Sequence, residues 1–281
     1  DVGNGSDGAL SISNDTTEAP NDASCSGTAD ATSLSATNAS FVAGQIILIY
    51  QTRGTGAGQW EINRISSYVA GTITLQVALK YTYTDSGASQ AQVRVLKQYS
   101  SVTIDSTKTY TSKAWDGDVG GIIGWLCSGD TTVTGINSVK GSDRASAGGG
   151  GGQLSPANGG GFRGGWSDDG VNSPGLQGES STGAGAQSSS ANGMGGGAGG
   201  GNAQYNAGGG GGHAASGSNA TGSGSTNGAG GGTGGAADLT TLLFGGGGGG
   251  ATGTAGSNTS SGANGGGVII IFTKTYTVTG G

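Results

Sequence analysis

Between residues 148 and 267 the chain carries 48 glycines and only 8 Leu, Ile, Val or Phe residues. No core of the ordinary kind can be built from that stretch. Each ordered Gly costs ~0.5–1 kcal/mol more than Ala in chain entropy. The region is therefore either a loose linker or a solid held together by something other than side chains. The pattern favours the solid. Glycines cluster at 148–152, 159–161 with 164–165, 195–201, 208–212, 230–235, 245–250 and 265–267, and Ser, Asn, Thr, Ala, Asp and Gln join them. Linkers mix Gly with Ser, whereas these clusters are nearly pure and similar in length. Helices of three residues per turn rise ~3.1 Å per residue and have no internal hydrogen bonds. Without Cβ atoms such polyglycine-II rods can approach until their amides bond one another. A cluster makes a rod of ~15–20 Å, and each hydrogen bond between rods contributes roughly 0.5–1.5 kcal/mol.

The remaining residues hold 35 of the 43 Leu, Ile, Val and Phe and can bury a conventional core. This gives four parts: an N-terminal strand and extended segment at 1–27, a β-rich domain with a transition layer at 28–145, the glycine array at 146–267 and a C-terminal strand at 268–281. Several classes are excluded. With 3 Pro and no Gly-X-Y period the chain is not collagen. The longest apolar run, Val268-Ile269-Ile270-Ile271-Phe272, is far short of the ~20 residues of a membrane helix, so no membrane insertion is expected. With 11 Lys and Arg against 17 Asp and Glu, no nucleic-acid surface is expected either.

Short stretches alternate apolar and polar residues at 9–13, 60–65 and 71–79, and β-branched runs occupy 45–50 and 92–96. Turn signals separate them, which predicts an antiparallel sandwich or barrel over 28–98. Gly54-Thr55-Gly56-Ala57-Gly58 looks like a nucleotide loop, but a strand pattern rather than a helix follows it, so it reads as a hairpin turn. No stretch has helical apolar spacing. The fold class expected is all-β with almost no α-helix.

Two cysteines, Cys25 and Cys127, together with a first residue that is Asp rather than Met, suggest an exported, processed chain with one disulfide closing a long loop. One histidine, His213, follows a glycine cluster and reads as a solvated side chain. Asp116 and Asp118 flank Gly117 and suit either an Asp-Gly turn or shared ligation of a calcium ion. Asp168-Asp169 is a second acidic pair. Nothing else resembles catalytic or zinc chemistry, so the chain reads as a non-enzyme with no cofactor other than calcium.

Glycine clusters joined by polar connectors over about 148–272 resemble the polyglycine sandwich of phage tail-fibre tip adhesins and, more loosely, secreted glycine-rich bacterial surface proteins. In the adhesins, loops at one end of the sandwich bind a host receptor. The resemblance implies recognition of a cell-surface glycan or protein, here through Trp166, Tyr205 and His213. The residues themselves suggest a structural role first: an extracellular protein that self-associates into a filament. Its strand-like ends would add to a neighbour's sheet, through Leu10 and Ile12 at one end and Tyr276 and Val278 at the other.

Overall fold

The computed structural model describes residues 2–37, 40–138, 160–167, 174–200, 206–222, 226–252 and 261–279. The protein is all-β, and no α-helix occurs among the described residues. Six strands close an antiparallel barrel in the order β3-β4-β7-β6-β5-β8. They are β3 (Asp22–Ser26), β4 (Ser33–Ala36), β5 (Ile46–Arg53), β6 (Trp60–Val69), β7 (Thr72–Leu75) and β8 (Gln90–Val95). The barrel thus begins at Asp22, ahead of the boundary expected at 28. Residues 54–58 do form the turn between β5 and β6, whose register runs from Tyr50 opposite Trp60 to Ile46 opposite Arg64.

Strand β5 is buried along its whole length because both of its faces are covered. Ile47 and Ile49 point into the barrel with Leu34, Ile65, Ile73 and Val93. Ile46, Leu48 and Tyr50 point outward into a second core with Trp115, Leu126, Phe162 and Phe244. A continuous apolar run rather than an alternating one is the sequence consequence.

The stretch expected to be a transition layer is a parallel β-coil. β1 (Ala9–Ile12), β10 (Ser101–Ile104), β12 (Ile122–Val133) and β14 (Val268–Val278) pair in that order, all in parallel. β9 (Lys97–Tyr99) also pairs with β12. A second parallel sheet follows the order β13 (Ile136–Ser138), β11 (Thr109–Thr111), β2 (Thr16–Thr17). Short links join β1 to β2, β10 to β11 and β12 to β13, so the chain winds in stacked turns around Ile12, Val102, Ile104, Tyr110, Ile123 and Trp125.

The expected disulfide is corrected by this division. Cys25 and Cys127 are both free and buried. Cys25 lies in the barrel core and Cys127 in the coil core, each packed as a small apolar side chain. Burial pushes the Cys25 thiol well above its ordinary range.

The described segments of the glycine-rich part are held together through their main chain. Segment 245–250 is its axis. The amides of Gly245 and Gly248 donate to the carbonyls of Gly266 and Ala263, those of Gly246 and Gly249 to Gly212 and Gly209, and those of Gly247 and Gly250 to Glu179 and Leu176, all at 2.8–2.9 Å. Each successive amide turns to a different neighbour, and the cycle repeats every third residue. Incoming bonds follow the same rule: Phe162 and Gly165 donate to the carbonyls of Gly245 and Gly248, and Gly196 and Gly199 to those of Gly247 and Gly250. Among the described residues, five extended segments therefore surround the axis. A Cβ on Gly178 would lie 1.8 Å from the carbonyl oxygen of Gly247, and one on Gly247 would lie 2.0 Å from that of Arg163. Only glycine permits this spacing.

The array is joined to the barrel at one end. Phe244 packs edge-on against Trp115 and tilted against Tyr50 and Phe162, with ring centroids 5.4–5.7 Å away, and the Tyr50 hydroxyl donates to Leu242 O at 2.7 Å. Beside this cluster Glu179 is fully buried. Its carboxylate pairs with Arg53 and Arg163 and accepts from Trp115 Nε1 at 3.0 Å. The β5–β6 turn adds two main-chain bonds, Gly54 N donating to Ser181 O at 2.7 Å and Gly58 O accepting from Leu242 N at 3.0 Å.

Candidate functional site

The direction of the segments decides where the connectors emerge. Residues 162, 179, 194, 212, 244 and 266 lie at the barrel end, as their shared bonds to the start of the 245–250 axis and its aromatic cluster show. Residues 166, 176, 199, 209 and 250 lie toward the far end. Four connectors are flanked by far-end residues: 167 and 174, 200 and 206, 222 and 226, and 252 and 261. The interiors of these connectors, including Asp168, Asp169 and Tyr205, lie outside the described residues.

A buried polar clamp ties three of the four together. Asn206 and Thr252 are almost fully buried and form an antiparallel bridge, with Thr252 N donating to Asn206 O at 2.9 Å. Asn206 Nδ2 and Thr252 Oγ1 both donate to Gly200 O, at 2.5 and 3.1 Å. Asn206 Oδ1 accepts from Thr226 N at 3.1 Å, and Gly200 N donates to Thr226 O at 2.9 Å. Buried polar groups satisfied in this way hold a unique arrangement, since removing one partner strands the others. The fourth connector joins through Ser167, whose amide donates to Ser261 Oγ at 3.4 Å. Trp166 sits beside it, half-buried, with its indole N–H unpartnered among the described residues.

Of the residues expected at a binding surface, Trp166 is thus at the far end and His213 is not. His213 is exposed at the barrel end, where its Nε2 meets Leu243 O at 3.1 Å. The two cannot share one ligand-binding face. The clamp residues Asn206 and Thr252 escaped the sequence reading; their signal was a single polar residue next to a glycine cluster, which many connector residues share.

The acidic pair forms a turn. Asp116 Oδ1 accepts from the amides of Asp118 and Val119, both at 2.9 Å. Arg163 Nη1 donates to Asp116 O at 2.9 Å, and its guanidinium occupies the space a Cβ on Gly117, at φ +105°, would need. Partial burial, with Asp85 and Asp116 nearby, raises the Asp118 carboxyl above its ordinary range. Among the described residues no group of three or more His, Cys, Asp or Glu is arranged to hold a metal ion.

The terminal residues singled out for assembly lie on the two outer strands of the parallel sheet. Leu10 and Ile12 are on β1, with Ile12 buried in the coil core. Tyr276 and Val278 are on β14 and exposed. Among the described residues no helix is long and apolar enough to cross a membrane.

No protein-family model matches the chain, and no curated protein matches it. Among solved structures it is similar in part to the Gp54 tailspike of Acinetobacter baumannii bacteriophage AP22 in complex with A. baumannii capsular saccharide, at 12% identity and a TM-score of 0.25, over 49% of this chain and 31% of that one. It is also similar in part to the tailspike protein gp49 from Pseudomonas phage LKA1, at 12% identity and a TM-score of 0.26, over 47% of this chain and 28% of that one. The chain therefore matches less than a third of the length of either.

Proposed function

We propose that this chain is an extracellular recognition module that binds rather than transforms its target. In this reading the array is polyglycine II, and it serves as a rigid mount for the four far-end connectors, which contact a cell-surface glycan or protein. The observation that carries the proposal is the Asn206–Thr252 clamp, which fixes the flanks of three connectors to one another at the end remote from the barrel. Binding groups held on a rigid scaffold lose little freedom when a ligand arrives. The connector sequences supply hydroxyls, amides, the Asp168-Asp169 carboxylates and the aromatic rings of Trp166 and Tyr205, groups that match the hydroxyls and apolar faces of sugars. The test replaces residues 168–173 and 253–260 with Gly-Ser segments of equal length and measures binding to arrayed bacterial surface polysaccharides and to whole cells. Binding should fall at least tenfold with the melting temperature unchanged. Full retention of binding to a target of the parent would show that the connectors are not the site.

A second reading, self-association into a filament, is favoured by the sheet order. β1 and β14 are the outer strands of a sheet that is parallel throughout. β14 of one copy against β1 of the next would continue it head to tail, as a heterologous contact that does not close. Tyr276→Lys with Val278→Lys should leave the monomer folded and abolish polymers in negative-stain images. Polymers of normal length from that double variant would remove this reading.

A further inference from the structure

A groove of about 720 Å³ runs along the array between segments 207–212, 245–250 and 261–266. Among the described residues it occupies the sixth position around the 245–250 axis, the other five being taken by extended segments. The three-residue rotation fixes which groups point into it. On the axis, the carbonyls of residues 245 and 248 face 162–165 and those of 247 and 250 face 196–199, which leaves those of Gly246 and Gly249 aimed at the groove. On 207–212, the amides of 209 and 212 turn to 194–197 and that of 210 to Ser218, which leaves Gly208 and Gly211. On 261–266, the amides of 262 and 265 turn to Gly165 and Phe162, and the same rotation aims those of Ala263 and Gly266 at the groove. None of these two acceptors and four donors has a hydrogen-bond partner among the described residues. Gly246 and Gly249 are nevertheless buried, and a buried carbonyl without a partner is costly.

We propose that this groove binds an extended run of glycines presented by another polypeptide. The complement of the groove is a chain offering N–H groups toward Gly246 and Gly249 and carbonyls toward the four donors, each pair three residues apart. A three-residue-per-turn backbone meets that demand and spans both pairs with about four residues. The walls select glycine. Segments here lie so close that a Cβ on Gly211 would sit 2.0 Å from Gly246 O, and one on Gly208 2.1 Å from Gly249 O. A ligand seated at the same lattice spacing has no room for side chains either.

The test titrates the full ¹⁵N-labelled chain with N-acetyl-pentaglycine amide and follows its amide resonances. Saturable shifts at Gly208, Gly211, Ala263 and Gly266, with none from the pentaalanine peptide, are expected. Ala263→Pro removes one groove-facing amide and fills its place with a ring, while the backbone angle stays compatible with an extended segment. It should weaken binding about tenfold, the worth of one such bond, with an unchanged melting temperature. No shifts, or equal shifts from pentaalanine, would overturn the proposal. So would binding that appears only after residues 148–152 are changed to serine, because the chain's own glycines would then be the occupant. Shifts at the same amides on raising protein concentration alone would assign the groove to a second copy and overturn it too.

Discussion

Two glycines five residues apart separate the roles this residue has in the chain. A Cβ on Gly178 would meet the main chain of Gly247 at 1.8 Å, whereas one on Gly183 would meet nothing within 4 Å. Neither residue is at positive φ, so backbone conformation does not distinguish them. Gly178→Ala must push two segments apart and should cost about 3 kcal/mol or more. Gly183→Ala should be neutral or stabilising by less than ~1 kcal/mol, through the unfolded state. Chemical denaturation of both variants checks this, and equal stabilities would mean that the array is not close-packed. At this scale composition was legible and partnership was not. Cysteine number suggested a bridge between Cys25 and Cys127, but two residues can be paired only if the fold brings them into one core, and here they fall in two.

Among the elements, the strands with long apolar runs were readable because burial on one or both faces writes a pattern into the side chains. β5, the 54–58 turn and β6 follow that pattern. The parallel coil did not show itself: its strands β1, β2, β10, β11 and β13 have two to four residues each, and alternation over so few positions says nothing about direction or partner. The glycine clusters marked where a packed array was expected, but the neighbour of each amide was not legible, since glycine carries no side-chain pattern. What anchors the segments is a charged hub. Glu179 is fully buried between Arg53, Arg163 and Trp115, linking the barrel to the array. Glu179→Ala leaves two guanidiniums without their carboxylate and should destabilise the protein by about 3–5 kcal/mol. Thermal unfolding of the variant measures this, and a loss below ~1 kcal/mol would mean the hub is solvated.

For the whole molecule, alkali offers a probe of all its cores at once. Burial pushes the Tyr99 phenol up to about 12 and drives those of Tyr50, Tyr83 and Tyr110 higher still. Tyr83 lies in the barrel core, Tyr50 in the core facing the array and Tyr110 in the coil. The folded chain holds these protons more tightly than the unfolded chain, whose phenols ionise near ~10. Stability should therefore be complete below pH ~10 and decline as the pH climbs toward 12. Tyrosinate absorbance should rise together with loss of circular dichroism; smooth ionisation near pH 10 without unfolding would contradict the burial.

Strand β14 lies in register beside β12, Ile122 opposite Val268 and Val133 opposite Val278, although the entire glycine-rich stretch is translated between them. Bringing such distant partners together is slow while the intervening chain is loose. A ribosome must therefore release the glycine-rich stretch before the coil can receive its outermost strand, and a nascent chain stalled ahead of residue 268 would expose the apolar flank of β12. Any change that delays setting of the glycine segments should surface first as aggregation during synthesis, well before it weakens the finished molecule.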